Sequence, residues 1–212
     1  MNIIVQRFNK IKSNISDSKV NIIAVSKTFS LETIKPLIEA GHIHFGENKV
    51  QEAELKWSKH QLTNKKINLH MVGGLQSNKA KKAVELFDYI HSLDSKKLAD
   101  ALSKHEKKIK KKLKYFIQVN IGDESQKSGI SSNELNDFFN YCSKEVNLNV
   151  IGLMAIPPND GNEERHFKFL YDRNLSLGLK DLSMGMSGDY MKALKFKSTF
   201  LRIGSSIFGK RN

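Results

Sequence analysis

Sulfur available for cross-linking is nearly missing: the chain has one cysteine, Cys142. A lone thiol closes no internal disulfide, which excludes the stapled secreted scaffolds and points to a reducing compartment, the cytosol. The same shortage, with no His-rich cluster beside it, argues against a structural zinc site, and no metal is expected. Proline is scarce too, with three in 212 residues, while hydrophobic residues make up 39%. That balance suits a folded soluble chain and not a disordered one. No apolar run approaches the ~20 residues of a membrane span. The opening MNIIVQRFNKIKSN has neither a sustained apolar stretch nor a small-residue cleavage site, so no signal peptide is expected. Acidic residues are outnumbered, 22 Asp and Glu against 35 Lys and Arg, giving a formal charge of +13.

Positive charge attracts phosphates of any kind, nucleic acid included. Here the excess gathers in runs such as KHEKKIKKKLK (104–114), which reads as the exposed end of a helix and a loop. No helix-turn-helix, zinc-finger or RNP-like pattern accompanies it. A solvated lysine face is therefore preferred to a nucleic-acid patch.

What the chain does have is alternation. Apolar runs predict strands at 22–26, 42–45, 70–73, 89–91, 115–120, 150–155, 181–184 and 200–203. Helical spacing predicts helices at 31–40, 49–59, 78–87, 96–105, 134–144, 163–177 and 189–195, with a further N-terminal helix at 3–11. Asp94 or Ser95 can cap the fourth, and Ser131 or Ser132 with Glu134 resembles a capping box. Strands separated by helices from end to end predict a parallel sheet with crossover helices. Eight strands without a GxGxxG turn favour a (β/α)8 TIM barrel over an open doubly wound sheet. At this length the barrel is a compact one. With no linker-like stretch, residues 1–212 read as a single domain, residues 1–20 forming the helix laid over the barrel.

In such a barrel the chemistry stands at the C-terminal ends of the strands. Ser26 and Lys27 follow the first strand, and Gly46, Glu47 and Asn48 the second. His70 sits in the third, ahead of GGLQSNK. The last two strands lead into GMSGDY and RIGSSIFG. Barrels often bind phosphate with the loops after strands seven and eight. Ser187 offers a hydroxyl there, and Gly204, Ser205 and Ser206 offer close backbone approach, N–H donors and hydroxyls. Strands one and eight are neighbours in a closed barrel, so Lys27 can reach a ligand whose phosphate is anchored beyond strand eight. A partly desolvated lysine is an amine nucleophile that forms Schiff bases. A phosphate-bearing aldehyde is the matching ligand, and pyridoxal 5′-phosphate (PLP) is the common one. A sugar-phosphate aldolase is the rival, weakened because no strand tip offers a clear pair of lysine and carboxylate.

Seven stretches then carry a resemblance, in order along the chain: AVSKT (24–28), FGEN with VQE (45–48 and 50–52), GLQSNK (74–79), QVNIGDESQKSGI (118–130), GLMAIPP (152–158), LSMGMS with Asp189, and RIGSSIFG (202–209). Together they resemble the YggS/PROSC family of PLP-binding proteins. The resemblance implies a barrel like the N-terminal barrel of alanine racemase, the type III fold of PLP proteins. It implies a Schiff base on Lys27, the cofactor phosphate on Ser187 and the backbone of Gly204 and Ser205, Arg202 near the pyridine nitrogen, and Asn48 and His70 around the ring. It implies PLP homeostasis in place of an established turnover reaction. It also implies no C-terminal β-domain of the alanine racemase kind, as the sequence ends at Asn212. Two positions depart from the family pattern: Gly74 stands where proline is usual, and Met191 where glutamate is common.

Other residues draw plainer expectations. His42, His44 and His91 read as structural or surface histidines, Lys79 as solvated, and Cys142 as a small core residue. Asn48 could instead cap the helix after strand two. Glu47 and Asp123 are possible acids without an identified partner. The reading is a cytoplasmic PLP carrier, monomeric, with no catalytic residue established beyond the Schiff-base lysine Lys27, and with PLP-dependent apoenzymes as possible partners. The alternatives are a racemase-like PLP enzyme and a basic nucleic-acid binder.

Overall fold

The computed structural model describes residues 2–58, 67–122, 124 and 128–209. Eight parallel strands close in sequence order: β1 (Asn21–Val25), β2 (His44–Glu47), β3 (Asn68–Met71), β4 (Tyr89–Leu93), β5 (Lys114–Gln118), β6 (Val150–Met154), β7 (Asp181–Met186) and β8 (Phe200–Ile203). Helices α2 (Leu31–Glu39), α3 (Val50–Trp57), α4 (Ala80–Leu86), α5 (Lys96–Ile109), α6 (Leu135–Asn140), α7 (Glu163–Ser176) and α8 (Tyr190–Lys195) follow the first seven strands, and the short α9 (Ser205–Phe208) follows the eighth. Helix α1 (Ile3–Ser13) precedes β1 and buries Ile4, Phe8 and Ile11. This is the (β/α)8 barrel expected from the sequence.

Strand β1 shows why its apolar run does not alternate. Ile22 and Ala24 pack into the layer between barrel and helices. Ile23 and Val25 point into the barrel, with Tyr89, Phe116, Met154 and Phe200. Both faces of the strand are buried, as parallel sheets under helices require. Closure brings β8 beside β1, with Ile23 opposite Arg202 and Ala24 opposite Ile203. The tip of β1 therefore stands next to the β8 loop.

Capping sets the helix starts. Ser30 Oγ accepts the Thr33 N–H at 3.3 Å to open α2, and Ser95 Oγ accepts the Leu98 N–H at 3.4 Å to open α5. Ser131 Oγ meets Glu134 ahead of α6, accepting its N–H at 3.4 Å and donating to its carboxylate at 2.6 Å. Two helices differ from expectation at their ends. The one expected at 78–87 starts as a 3-10 turn over Ser77–Lys79, and the one expected at 134–144 finishes as a π-helical turn over Tyr141–Glu145. Strand β2 also runs further than expected. Gly46 and Glu47 are expected just after the strand, yet both lie in the barrel wall. The charge of Glu47 is tolerated there because Lys56 neutralises it at 2.8 Å. Asp123 and the end of the helix expected at 49–59 lie outside the described residues.

The lysine run is not all solvated. Lys111 Nζ donates to Phe87 O at 2.7 Å, Lys112 Nζ to Asn147 O at 2.6 Å and Lys114 Nζ to the Tyr89 hydroxyl at 3.0 Å. These three lysines tie loops and the lower barrel together, while Lys104, Lys107, Lys108 and Lys110 are exposed. Cys142 is buried in the core, and burial pushes its thiol up to about 12.

Candidate cofactor site

The loops at the C-terminal mouth of the barrel enclose a cavity of about 620 Å³, a size suited to a small organic ligand. Lys27, Asn48, Ser187, Arg202, Gly204 and Ser205 all line it. Val25, Val72, Ile156 and Met186 supply apolar wall.

Lys27 stands two residues beyond β1, half-buried, on a backbone held from both sides. On one side Ser26 Oγ donates to Glu47 Oε1 at 2.7 Å, and Lys56 Nζ donates to Ser26 O at 2.7 Å. Glu47 Oε1 also accepts from Lys56 Nζ at 2.8 Å and from Trp57 Nε1 at 3.0 Å. On the other side the Thr28 N–H donates to Glu52, with Thr28 at φ +69°. Four groups from β2 and α3 thus fix the peptide units around Lys27. Glu47 is the centre of that clamp and is fully buried, so it is no solvent-facing acid.

At the β7 side of the cavity, Asp189 closes the turn after the strand. Its Oδ1 accepts the Met186 N–H at 2.6 Å, which presents Ser187. Ser187 Oγ in turn accepts the Ser206 N–H at 3.2 Å, joining the β7 turn to the start of α9. The first N–H groups of a helix have no intrahelical partner, and Gly204 and Ser205 bring that end to the cavity wall. Hydroxyls and backbone N–H groups converge there as an anion cradle requires.

Arg202 points inward from β8 and is 5% exposed. Its Nη1 donates to Ser183 O at 2.6 Å and Ser183 Oγ at 2.7 Å, and its Nη2 donates to Ala155 O at 2.9 Å. Burial lowers its pKa to about 10, partly offset by Asp189, which leaves it charged at neutral pH. Asn48 does not cap α3: Lys49 is the N-cap residue and no side chain bonds there.

His70 does not line the cavity. It is fully buried one layer below, where its Nε2 lies 2.9 Å from His44 Nδ1 and its Nδ1 lies 2.9 Å from His91 Nε2. Val72, two residues on and just past the end of β3, reaches the cavity instead. The expected placement of His70 around a ligand ring is thereby corrected to the barrel interior. His44 and His91 share that interior. His42 sits outside it, bonded to His44 O at 2.8 Å and packed on Phe8 at 4.5 Å. Lys79 is half-buried and does not line the cavity. Ser183 went unnoticed in the sequence; the signal available was a polar side chain as the third residue of the otherwise apolar run of β7.

The site thus combines an amine, an anion cradle on the neighbouring β7 and β8 loops, apolar side chains and a guanidinium that can only donate.

The family profile of the alanine racemase N-terminal domain matches residues 2–212. The pyridoxal phosphate homeostasis protein of Pasteurella multocida is 41% identical over 206 residues, which cover 92% of this chain and 88% of that protein. The Escherichia coli K12 protein of the same name is 36% identical over 206 residues, covering 93% and 88%. PipY of Synechococcus elongatus PCC7942, in a structure with PLP bound, matches with a TM-score of 0.89 at 32% identity, over 97% of this chain and 100% of PipY. Alanine racemase of Clostridium difficile 630 shares the fold alone, with a TM-score of 0.78 at 13% identity, over 99% of this chain and 57% of the racemase. With its barrel, its strand-end lysine and these relatives, the chain belongs to the pyridoxal phosphate homeostasis protein family, built on the alanine racemase N-terminal domain.

Proposed function

We propose that this protein binds PLP in the cavity at the barrel mouth and serves PLP homeostasis in the cytosol. The observation that carries the reading is one cavity lined by Lys27 together with Ser187, Gly204 and Ser205. The donor set fits the cofactor part by part. A phosphate suits the hydroxyl and N–H cradle. The apolar wall suits a flat ring. Lys27 Nζ would hold the aldehyde, as an amine nucleophile facing a carbonyl. Arg202 offers only donors, so it suits a pyridine nitrogen that accepts.

When bound, PLP supplies an electron sink. A fixed cation at its ring nitrogen weakens that sink, because it disfavours protonation of the nitrogen. Arg202 therefore favours holding and releasing the cofactor over carbanion chemistry. PLP-dependent apoenzymes are the fitting recipients. Among the described residues no helix is long and apolar enough to cross a membrane.

The test is absorbance. Protein mixed with PLP should show a band at the edge of the visible that borohydride removes. Lys27→Ala should lack the band. No band in the wild type overturns the reading. Rapid, Lys27-dependent exchange of the Cα proton across an amino-acid panel would favour a racemase-like enzyme over a carrier.

A further inference from the structure

Behind Arg202 a continuous file of side chains crosses the barrel. Ser183 Oγ lies 2.8 Å from His91 Nδ1, His91 Nε2 lies 2.9 Å from His70 Nδ1, and His70 Nε2 lies 2.9 Å from His44 Nδ1. Ser183, His91 and His70 are fully buried. His44 is half-buried and lines a second cavity, of about 330 Å³, at the opposite end of the barrel, with Phe8, Lys12, Asn21 and His42. The file therefore joins the cofactor side of the molecule to its far mouth.

The direction of every hydrogen in it follows from Arg202. A guanidinium only donates, so Ser183 Oγ accepts from Nη1 at 2.7 Å. The serine's own hydrogen then goes to His91 Nδ1. A donor at that nitrogen instead would leave the buried hydroxyl hydrogen unmatched, which is costly in an enclosed site. His91 thus carries its hydrogen on Nε2 and gives it to His70 Nδ1. His70 does likewise to His44 Nδ1, and His44 presents its Nε2–H at the far mouth. All three rings are neutral in this arrangement. Burial works in the same direction, assisted by Arg202 at His91 and by His44, His91, His42 and Lys114 at His70. Lys114 also stands by His44, and Asp189 faces Arg202.

We propose that Ser183, His91, His70 and His44 are positioning residues: a one-directional hydrogen-bond relay that fixes the donors of Arg202 and so keeps the PLP ring nitrogen unprotonated. The relay occupies the barrel interior in place of apolar packing, and it is anchored at one end by a permanent charge. Ser183, His91 and His70 each have one acceptor and one donor in use, so a change at any of these links frees the tautomers of the others. The consequence for the cofactor rests on the PLP reading above; the tautomers do not.

Two measurements test it. Nitrogen NMR of the full chain with labelled histidine should show His91, His70 and His44 as neutral Nε2–H tautomers at pH 7. An Nδ1–H tautomer, or a charged ring, at His91 or His70 overturns the relay, with no cofactor involved. The second measurement follows the ring-nitrogen shift of labelled PLP on the wild type, Ser183→Ala and His70→Phe. Phenylalanine offers a ring to stack on Tyr89, 4.2 Å from the histidine it replaces, and removes both hydrogen bonds. Both variants should raise the ring-nitrogen pKa by about one unit, a tenfold larger protonated fraction. Wild-type shifts in a folded variant mean that these side chains only pack, and the proposal fails. Failure of the wild type to bind PLP overturns the function reading and leaves the tautomer result to decide the relay. If neither variant folds, that same result decides.

Discussion

Two adjacent glycines show how differently one atom acts at neighbouring positions. A Cβ on Gly73 would lie 2.4 Å from Asn48 O and 2.8 Å from Asn48 Cα, both backbone. A Cβ on Gly74 would meet nothing within 4 Å, and Gly74 is not among the glycines with positive φ. Gly73→Ala should therefore push back the segment that carries Asn48 into the cavity wall. The expected loss is about 1–3 kcal/mol, the usual range for overpacking, together with weaker PLP binding. Gly74→Ala should gain about 0.4–1 kcal/mol by restricting the unfolded chain, which is a Tm rise of at most about 4 °C at this size. Thermal melts of the two variants check both signs. At this scale the sequence showed where the chain ends its strands but not which layer a strand residue occupies. Lys27, Ser187, Gly204 and Ser205 were legible because they follow apolar runs. His70 was misplaced by one layer because inward residues two apart, His70 and Val72, differ only in height along the barrel.

Among the elements, β1, β2 and α3 are joined through the Glu47–Lys56 pair. Their side chains are 0% and 7% exposed. Glu47 Oε2 has no hydrogen-bond partner among the described residues, so its carboxylate depends on the three bonds to Oε1, from Ser26, Lys56 and Trp57. Removing one partner from a buried pair leaves an uncompensated charge. Lys56→Met should cost about 3–5 kcal/mol, read from the urea midpoint. It also releases Ser26 O, so the rate at which Lys27 takes up PLP should fall with it. The double change of Lys56→Met with Glu47→Gln should recover part of the stability, since the pair and not either residue is being removed. All eight strands were legible from apolar runs, with ends misjudged by a few residues. This clamp was not legible, because Glu47 reads as an acid without a partner until its counter-ion, nine positions later on a helix, is brought against it.

For the molecule as a whole, the sequence supplied strand number and order, and closure followed because eight strands without a nucleotide-binding turn suit a barrel. The polar interior did not follow. Three histidines in three consecutive strands were visible, but only the register of β2, β3 and β4 turns them to one axis. That interior gives the protein a pH dependence of defined sign. Burial lowers His42 and His44 to about 4 and holds His70 and His91 well below 6.5. In the unfolded chain all four return to about 6.5. Between those limits the unfolded state binds more protons, so stability is complete above pH 6.5 and falls as the pH drops toward 4. Each of the fully buried pair, His70 and His91, should contribute on the order of 1 kcal/mol per pH unit, while half-exposed His44 contributes less through solvent screening. Asp160 acts in a separate window. His166 lowers it to about 2, so its share is lost only below about pH 4. Urea midpoints taken at pH 7.5, 6.5, 5.5 and 4.5 should be level at first and then decline. The decline should be shallower in His70→Phe, which has one proton fewer to gain on unfolding. A midpoint that stays level to pH 4.5 would mean that the interior histidines already carry protons in the folded barrel, and the neutral relay behind Arg202 would be lost with it.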